Sequence, residues 1–202
     1  MPKNDFFEIV KEIEIVAADG AANQLFEMDV NPDIIIGDMD SINEVKFGHN
    51  DKQVQIIKID DQDTNDFEKI LIWCNKNGRT NLLITGIHGG DMEHTLNNWS
   101  VFSRYSKIMN LCIYENNRYG ISISHSFEYQ SYKGELLSLI PQTSSKISSE
   151  NLKWELLSDE LIFGNREGAR NMSISDKIRL EIISGSILFF FDSKLPLCPN
   201  FL

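Results

Sequence analysis

The first half of the chain alternates short apolar runs with polar clusters. Ile13 to Ala18, Ile34 to Ile36, Val54 to Ile59, Leu82 to Thr85 and Ile108 to Tyr114 are brief and rich in β-branched residues, and each predicts a strand. Helical spacing fills the gaps. Phe67, Ile70, Leu71 and Cys74 share one face of a helix from Phe67 to Asn77, and Gly78 stops it. Ala21 to Met28 and Thr95 to Ser106 read as further helices. Asn4-Asp5 predicts the cap of a short helix through Lys11, with Phe6, Phe7 and Val10 as its stripe. Strands that alternate with helices predict an α/β fold with a mainly parallel, Rossmann-like sheet.

The texture changes after Asn116-Asn117. Ile121-Ser122-Ile123-Ser124 alternates, and short strands follow at Leu136 to Ile140, Leu161 to Phe163, Ile178 to Ile182 and Ile187 to Phe191. Gly, Ser, Asn and Pro part them, which predicts a small all-β sandwich domain. The expected division is therefore an α/β domain over 1–116 and a sandwich over 117–202, joined by a short linker.

Composition narrows the partners. An apolar share of 42% over 202 residues is ample for a packed core. A formal charge of −11 argues against nucleic acid or an anionic membrane as the main partner. It leaves room for a phosphorylated ligand whose charge a divalent cation balances. The apolar run at 187–191 is far too short to span a bilayer. Cys74, Cys112 and Cys198 lack CxxC spacing, so neither a zinc site nor a disulfide framework is expected. The N-terminus carries acids and no apolar core, unlike a signal peptide. A reducing, cytoplasmic setting is expected.

The candidate chemistry sits at the strand ends, where ligands bind in open α/β sheets. The clusters are Asp19-Gly20, Asp38 to Ser41, Asp61 to Asp66, Gly86 to Gly90 and Glu93-His94. On an extended chain, Asp38 and Asp40 point the same way. Two such carboxylates repel unless a cation lies between them, and hard oxygens suit Mg²⁺ carrying phosphates. Taken singly, each cluster also reads as a turn. Taken alone, Lys69 reads as a solvated helix residue and His88 as a solvated loop residue.

In order, the clusters stand as ADGAAN (Ala18 to Asn23), PDIIIGDMDS (Pro32 to Ser41), DQDTNDF (Asp61 to Phe67) and GGDMEHTLNN (Gly89 to Asn98). Together they resemble the thiamine pyrophosphokinase family. Ser138 to Pro141 and Leu152 to Trp154 extend the resemblance into the β-rich part. The resemblance implies an α/β ATP-binding domain followed by a thiamine-binding sandwich, working as a homodimer. It implies transfer of a pyrophosphoryl group from ATP to the hydroxyethyl group of thiamine, with release of AMP. Mg²⁺ would be held by Asp38, Asp40 and Asp66. Asp19 and Asp66 would be the candidates for activating the alcohol. Asn23, Ser41, Gln62, Asn65, Gly89, Gly90, Glu93, His94 and Asn98 would contact ATP or its phosphates, and Trp154 and Asn171 would contact thiamine.

Some positions depart from the family pattern. Asp91 stands where an Arg is usual, Glu93 where an Asp is, and Asn65 where a Thr is. Gly168-Ala169-Arg170-Asn171 replaces a G-T-S-N segment, putting a cation where a cationic ring is expected. The family also begins with a strand ahead of the helix at 4–11, so one strand fewer is expected here. A pyrophosphokinase for another heterocyclic alcohol and a weakly active thiamine-binding homologue stay open on these grounds.

Overall fold

A computed structural model describes residues 13–40, 54–88 and 91–193. The helix expected at Asn4 to Lys11 lies outside these residues. Two compact units emerge. One holds the described residues up to Leu82 together with Gly86–Asn110; the other holds Leu83–Thr85 and the chain from Leu111.

The first unit is built on three parallel strands, β1 (Val16–Ala18), β2 (Ile34–Gly37) and β3 (Gln55–Lys58), with β2 in the middle. All of β2 is buried, as a β-branched run between two neighbours should be. β3 is mostly exposed, as an edge strand with Gln55 and Lys58 can be. Helix α1 (Asp19–Glu27) starts directly from β1, and Ala22 and Leu25 pack with Ala17, Val30 and Ile35. Helix α2 (Asp66–Lys76) buries Leu71 and Cys74, and helix α3 (Met92–Tyr105) buries Val101 and Phe102. Glu68 of α2 accepts hydrogen bonds from Arg104 (2.8 Å) and Tyr105 (3.1 Å) of α3, which joins the two helices.

Among the described residues the parallel sheet has three strands. β4 (Asn81–Ile84) and β5 (Asn110–Glu115), expected to widen it, lie instead in an eight-stranded sheet with the C-terminal strands. The strands of that sheet are β6 (Arg118–Ile123), β7 (Phe127–Gln130), β8 (Leu136–Glu150), β9 (Asp159–Ile162), β10 (Gly168–Met172) and β11 (Lys177–Asp192). Its main order is β10-β8-β11-β6-β5-β4, with β7 on β11 and β9 on β8. The cause is local. Asn116 and Asn117, expected as a linker, take φ of 50° and 60° and make a two-residue hairpin turn. β5 therefore pairs antiparallel with β6, Cys112 opposite Ile121.

The expected sandwich of separate short strands is likewise one sheet folded on itself. β8 and β11 run 15 and 16 residues and pair along most of their length. Register shifts between Ile182 and Ser184 and between Gly185 and Ile187 bend the pair. The bend lets Tyr129, on the strand beside the first half of β11, meet Phe189 and Phe191 of its second half, with ring centroids 5.4 and 5.0 Å apart. Leu137, Leu139, Ile147, Leu161, Leu180 and Phe189 are fully buried in this core. Each such side chain contributes on the order of 1.5–3 kcal/mol. The buried Glu135 is satisfied by Tyr129 Oη (2.8 Å), Ser131 Oγ (2.6 Å) and the Asp192 N–H (3.1 Å), which pins the end of β11. Cys74 and Cys112 are buried, while Cys198 lies outside the described residues. Among the described residues no helix is long and apolar enough to cross a membrane.

Gly185 makes the bend possible. Its φ is +79°, and a Cβ there would lie 2.2 Å from the Ser144 carbonyl oxygen. Gly185→Ala is expected to cost about 3 kcal/mol, read as a fall in the urea midpoint. An unchanged midpoint would mean that the bend does not depend on this residue.

Candidate active site

The site forms where β1 and β2 end. Asp19 is the first residue of α1 and is only 1% exposed. Its Oδ1 accepts from the Gly20 N–H (2.6 Å) and its Oδ2 from the Met39 N–H (3.0 Å). The second bond reaches from the end of β1 to the turn after β2. Met39 adopts φ 69°, an uncommon conformation for a residue with a side chain, and the bond to Asp19 helps hold it. Gly37 completes the fit, since a Cβ there would come within 2.6 Å of Asp19 Cγ.

Asp38 and Asp40 follow on that turn. They converge, but not through strand alternation, because β2 ends at Gly37. The Asp38 carboxylate accepts the Asp40 N–H (3.2 Å) and reaches Gln62 Nε2 (3.5 Å). Among the described residues, Asp19, Asp38 and Asp40 form a group that could hold a metal ion, one carboxylate oxygen from each lying within 4.8 Å of the others. The expected metal trio was Asp38, Asp40 and Asp66. Asp66, the first residue of α2, pairs through its Oδ1 with Lys69 Nζ at 3.0 Å.

The electrostatics follow from these positions. Burial raises the Asp19 pKa above the ordinary carboxylate value, against the two backbone N–H groups and with the help of the Asp66 and Asp38 charges. Asp38 is lowered, first by the Asp40 N–H and then by Gln62. Lys69, expected to be solvated, is 4% exposed. Burial opposes its charge, but its bond to Asp66 and the fields of Asp66, Asp38 and Asp19 outweigh that and raise its pKa. Its position three residues after Asp66, one helical turn on, was the signal available in the sequence.

Other expected contacts have internal partners. Asn65 caps α2 by accepting the Glu68 N–H (2.9 Å) and donates to Asn98 Oδ1 (2.9 Å). Asn98 in turn donates to the Ile87 carbonyl (3.2 Å). Both amides position the surrounding elements. Asp61 orders its own loop through Thr64 Oγ1 (2.6 Å) and the Asp63 N–H (3.0 Å). Asn23 lies half-buried on α1, one turn beyond Asp19. Glu93 and His94 are exposed in the first turn of α3. His88 packs against Trp99, ring centroids 5.7 Å apart. Ser41, Gly89 and Gly90 lie outside the described residues.

The second unit carries a recess of about 260 Å³ lined by Trp154, Leu156, Leu161, Arg170 and Asn171 among others. Asn171 accepts the Trp154 N–H (3.2 Å) and donates to its carbonyl (2.8 Å), which holds that loop in place. Trp154 is 55% exposed, and the Lys153 ammonium lies 4.7 Å from its ring centroid.

Residues 9–113 match the family model described as thiamin pyrophosphokinase, catalytic domain. A thiamine pyrophosphokinase of Arabidopsis thaliana is 30% identical over 200 residues, covering 82% of this chain and 73% of its own. One from Oryza sativa subsp. japonica is 28% identical over 194 residues, covering 82% and 74%. Among solved structures, the thiamine pyrophosphokinase of Bacillus subtilis superposes with a TM-score of 0.79 at 18% identity, covering 96% of each chain. The yeast thiamin pyrophosphokinase gives 0.78 at 18%, covering 95% of this chain and 82% of its own. The fold is that of these structures.

Asn65→Ala removes both the helix cap and the tie to α3. The expected cost is about 1–2 kcal/mol, measured by urea unfolding. A midpoint unchanged from the parent protein would show that neither bond supports the site's frame.

Proposed function

The chain belongs to the thiamin pyrophosphokinase family, and we propose that it transfers the terminal pyrophosphoryl group of ATP to the hydroxyethyl oxygen of thiamine, giving thiamine diphosphate and AMP. The observation that carries this reading is the convergence of Asp19, Asp38 and Asp40 at the ends of parallel strands in a chain of that family.

Such a transfer needs positioning and charge neutralisation more than covalent help from the protein. The three converging carboxylates supply hard oxygens that suit Mg²⁺, and a bound Mg²⁺ would offset charge on the phosphate oxygens. Asp38 and Asp40 lie on the turn and would be the accessible ligands. Asp19 is fixed by two N–H groups and sets the inner wall. Gln62, within reach of Asp38, is placed to meet the nucleotide. Asp66, paired with Lys69 through one oxygen, would be the third carboxylate on Mg²⁺ and is a candidate to take the proton of the alcohol. Glu93 and His94 would meet ATP from the first turn of α3.

For thiamine we assign the recess at Trp154 and Asn171 in the β-rich unit, where an exposed indole offers a stacking face. The working unit would be a homodimer. Exposed Leu157 (79%) and Phe163 (64%), on the loops flanking β9, support a subunit contact there. The buried thiols of Cys74 and Cys112 suit a reducing, cytoplasmic setting.

AMP release from Mg·ATP, with and without thiamine, tests the reading. Thiamine-dependent AMP is expected, together with a loss of roughly 100-fold or more in Asp38→Ala at an unchanged circular dichroism spectrum. Nucleotide binding without thiamine-dependent AMP would contradict the assigned acceptor. Full activity in Asp38→Ala would contradict the role of the trio.

A further inference from the structure

Arg79, Arg104, Arg118, Arg166 and Arg179 each pair with a carboxylate. Among the described residues, Arg170 has no such partner. Its backbone is also unusual. A φ of 56° lies in the left-handed region, which a residue with a side chain rarely adopts. The pairing of β10 with β8 shifts register between Gly168 and Asn171, and Arg170 lies in that bulge. A bulge re-aims the side chain it carries. The backbone is fixed on both sides. The Arg170 N–H donates to Ser138 Oγ (3.0 Å), and the neighbouring Asn171 clamps the Trp154 backbone. Strain held in place this way points to a use for the side chain.

That use lies in the recess beside Trp154. The charged side chains lining it are Glu155, Glu167, Arg166 and Arg170. Arg166 is held by Asp159, 2.7 Å away. Glu155 and Glu167 accept the N–H groups of Asn151 (3.3 Å) and Gly164 (2.6 Å) and form no ion pair among the described residues. Arg170 is therefore the cation that balances these two acids. The indole already has a cation of its own, since the Lys153 ammonium lies 4.7 Å from the ring centroid. Without Arg170 the two acids would draw a positively charged ligand into the recess; with it, a ring stacked on Trp154 gains little from carrying a charge. Building on the function proposed above, we propose that Arg170 is a specificity residue for the acceptor: it cancels the pull of Glu155 and Glu167 on a cationic ring. The recess then takes heteroaromatic alcohols whether or not the ring is charged.

The test is calorimetric binding of two ligands to the free protein, without ATP. One is thiamine. The other is its deaza analogue, in which carbon replaces the quaternary ring nitrogen and leaves the ring uncharged. The parent protein is expected to bind the two within about threefold of each other. Arg170→Gly suits the left-handed backbone. It should bind thiamine about fivefold more tightly and the analogue as the parent does. Added salt should shrink that gain. Arg170→Lys keeps the charge and should stay as indifferent to ring charge as the parent. Adding Glu155→Gln and Glu167→Gln to Arg170→Gly should remove the gain.

An arginine that only shaped the loop would change both affinities alike. Equal changes for the two ligands in Arg170→Gly, or no change for thiamine, would overturn the proposal. So would a parent protein that prefers thiamine to the analogue beyond the expected range. Absence of binding of either ligand in every variant would overturn it as well. Thiamine-dependent AMP release is assayed separately, so the two readings fail apart. AMP release with an unmoved Arg170→Gly sinks the role of Arg170 alone. A charge-selective gain in Arg170→Gly without AMP release supports that role and sinks the transfer reaction.

Discussion

The bond from the Met39 N–H to the buried Asp19 carboxylate ties the start of α1 to the turn after β2, and the site depends on it. β1 and β2 are parallel neighbours, so their ends emerge side by side. A carboxylate on the first residue of α1 also sits in the favourable field of the helix N-terminus. Gly37 keeps the space open for it, and Met39 takes the uncommon backbone that brings its N–H round. Once these are set, Asp38 and Asp40 have little choice but to face Asp19. A cluster of like charges held this closely is a feature that pure stability would not favour.

The first turn of α2 supplies the complement. Asn65 caps the helix and reaches Asn98, Glu68 reaches Arg104 and Tyr105, and Lys69 turns inward to Asp66. Within five residues, one turn fastens α3 and presents a cation to the acids. The residues expected to touch the nucleotide thus divide. Gln62 lies against the acidic turn, while Asn65 and Asn98 are used to place other elements.

Much of this was legible in the sequence, and the gaps have physical causes. The Ile34-Ile35-Ile36 run announced a buried parallel strand, and the acids after it announced the site. Apolar periodicity also placed α2 to within a residue or two. Periodicity says nothing, however, about which sheet a strand joins, so β4 and β5 were assigned to the parallel sheet that they leave. Ser184-Gly185-Ser186 looked like a break between strands, whereas the left-handed Gly185 bends one continuous strand. Lys69 looked solvated because a helix face is read from its apolar residues, and a buried ion pair leaves no apolar mark. Asp19 was recognised as a candidate. Its place among the converging oxygens required the turn geometry, which the spacing of Asp38 and Asp40 alone does not encode.

The most direct test is an anomalous difference map from crystals of this protein soaked with Mn²⁺ and a non-hydrolysable ATP analogue. The expected result is a peak bonded to oxygens of Asp38 and Asp40 beside Asp19. No peak at these acids, or one remote from Asp19, would contradict the account.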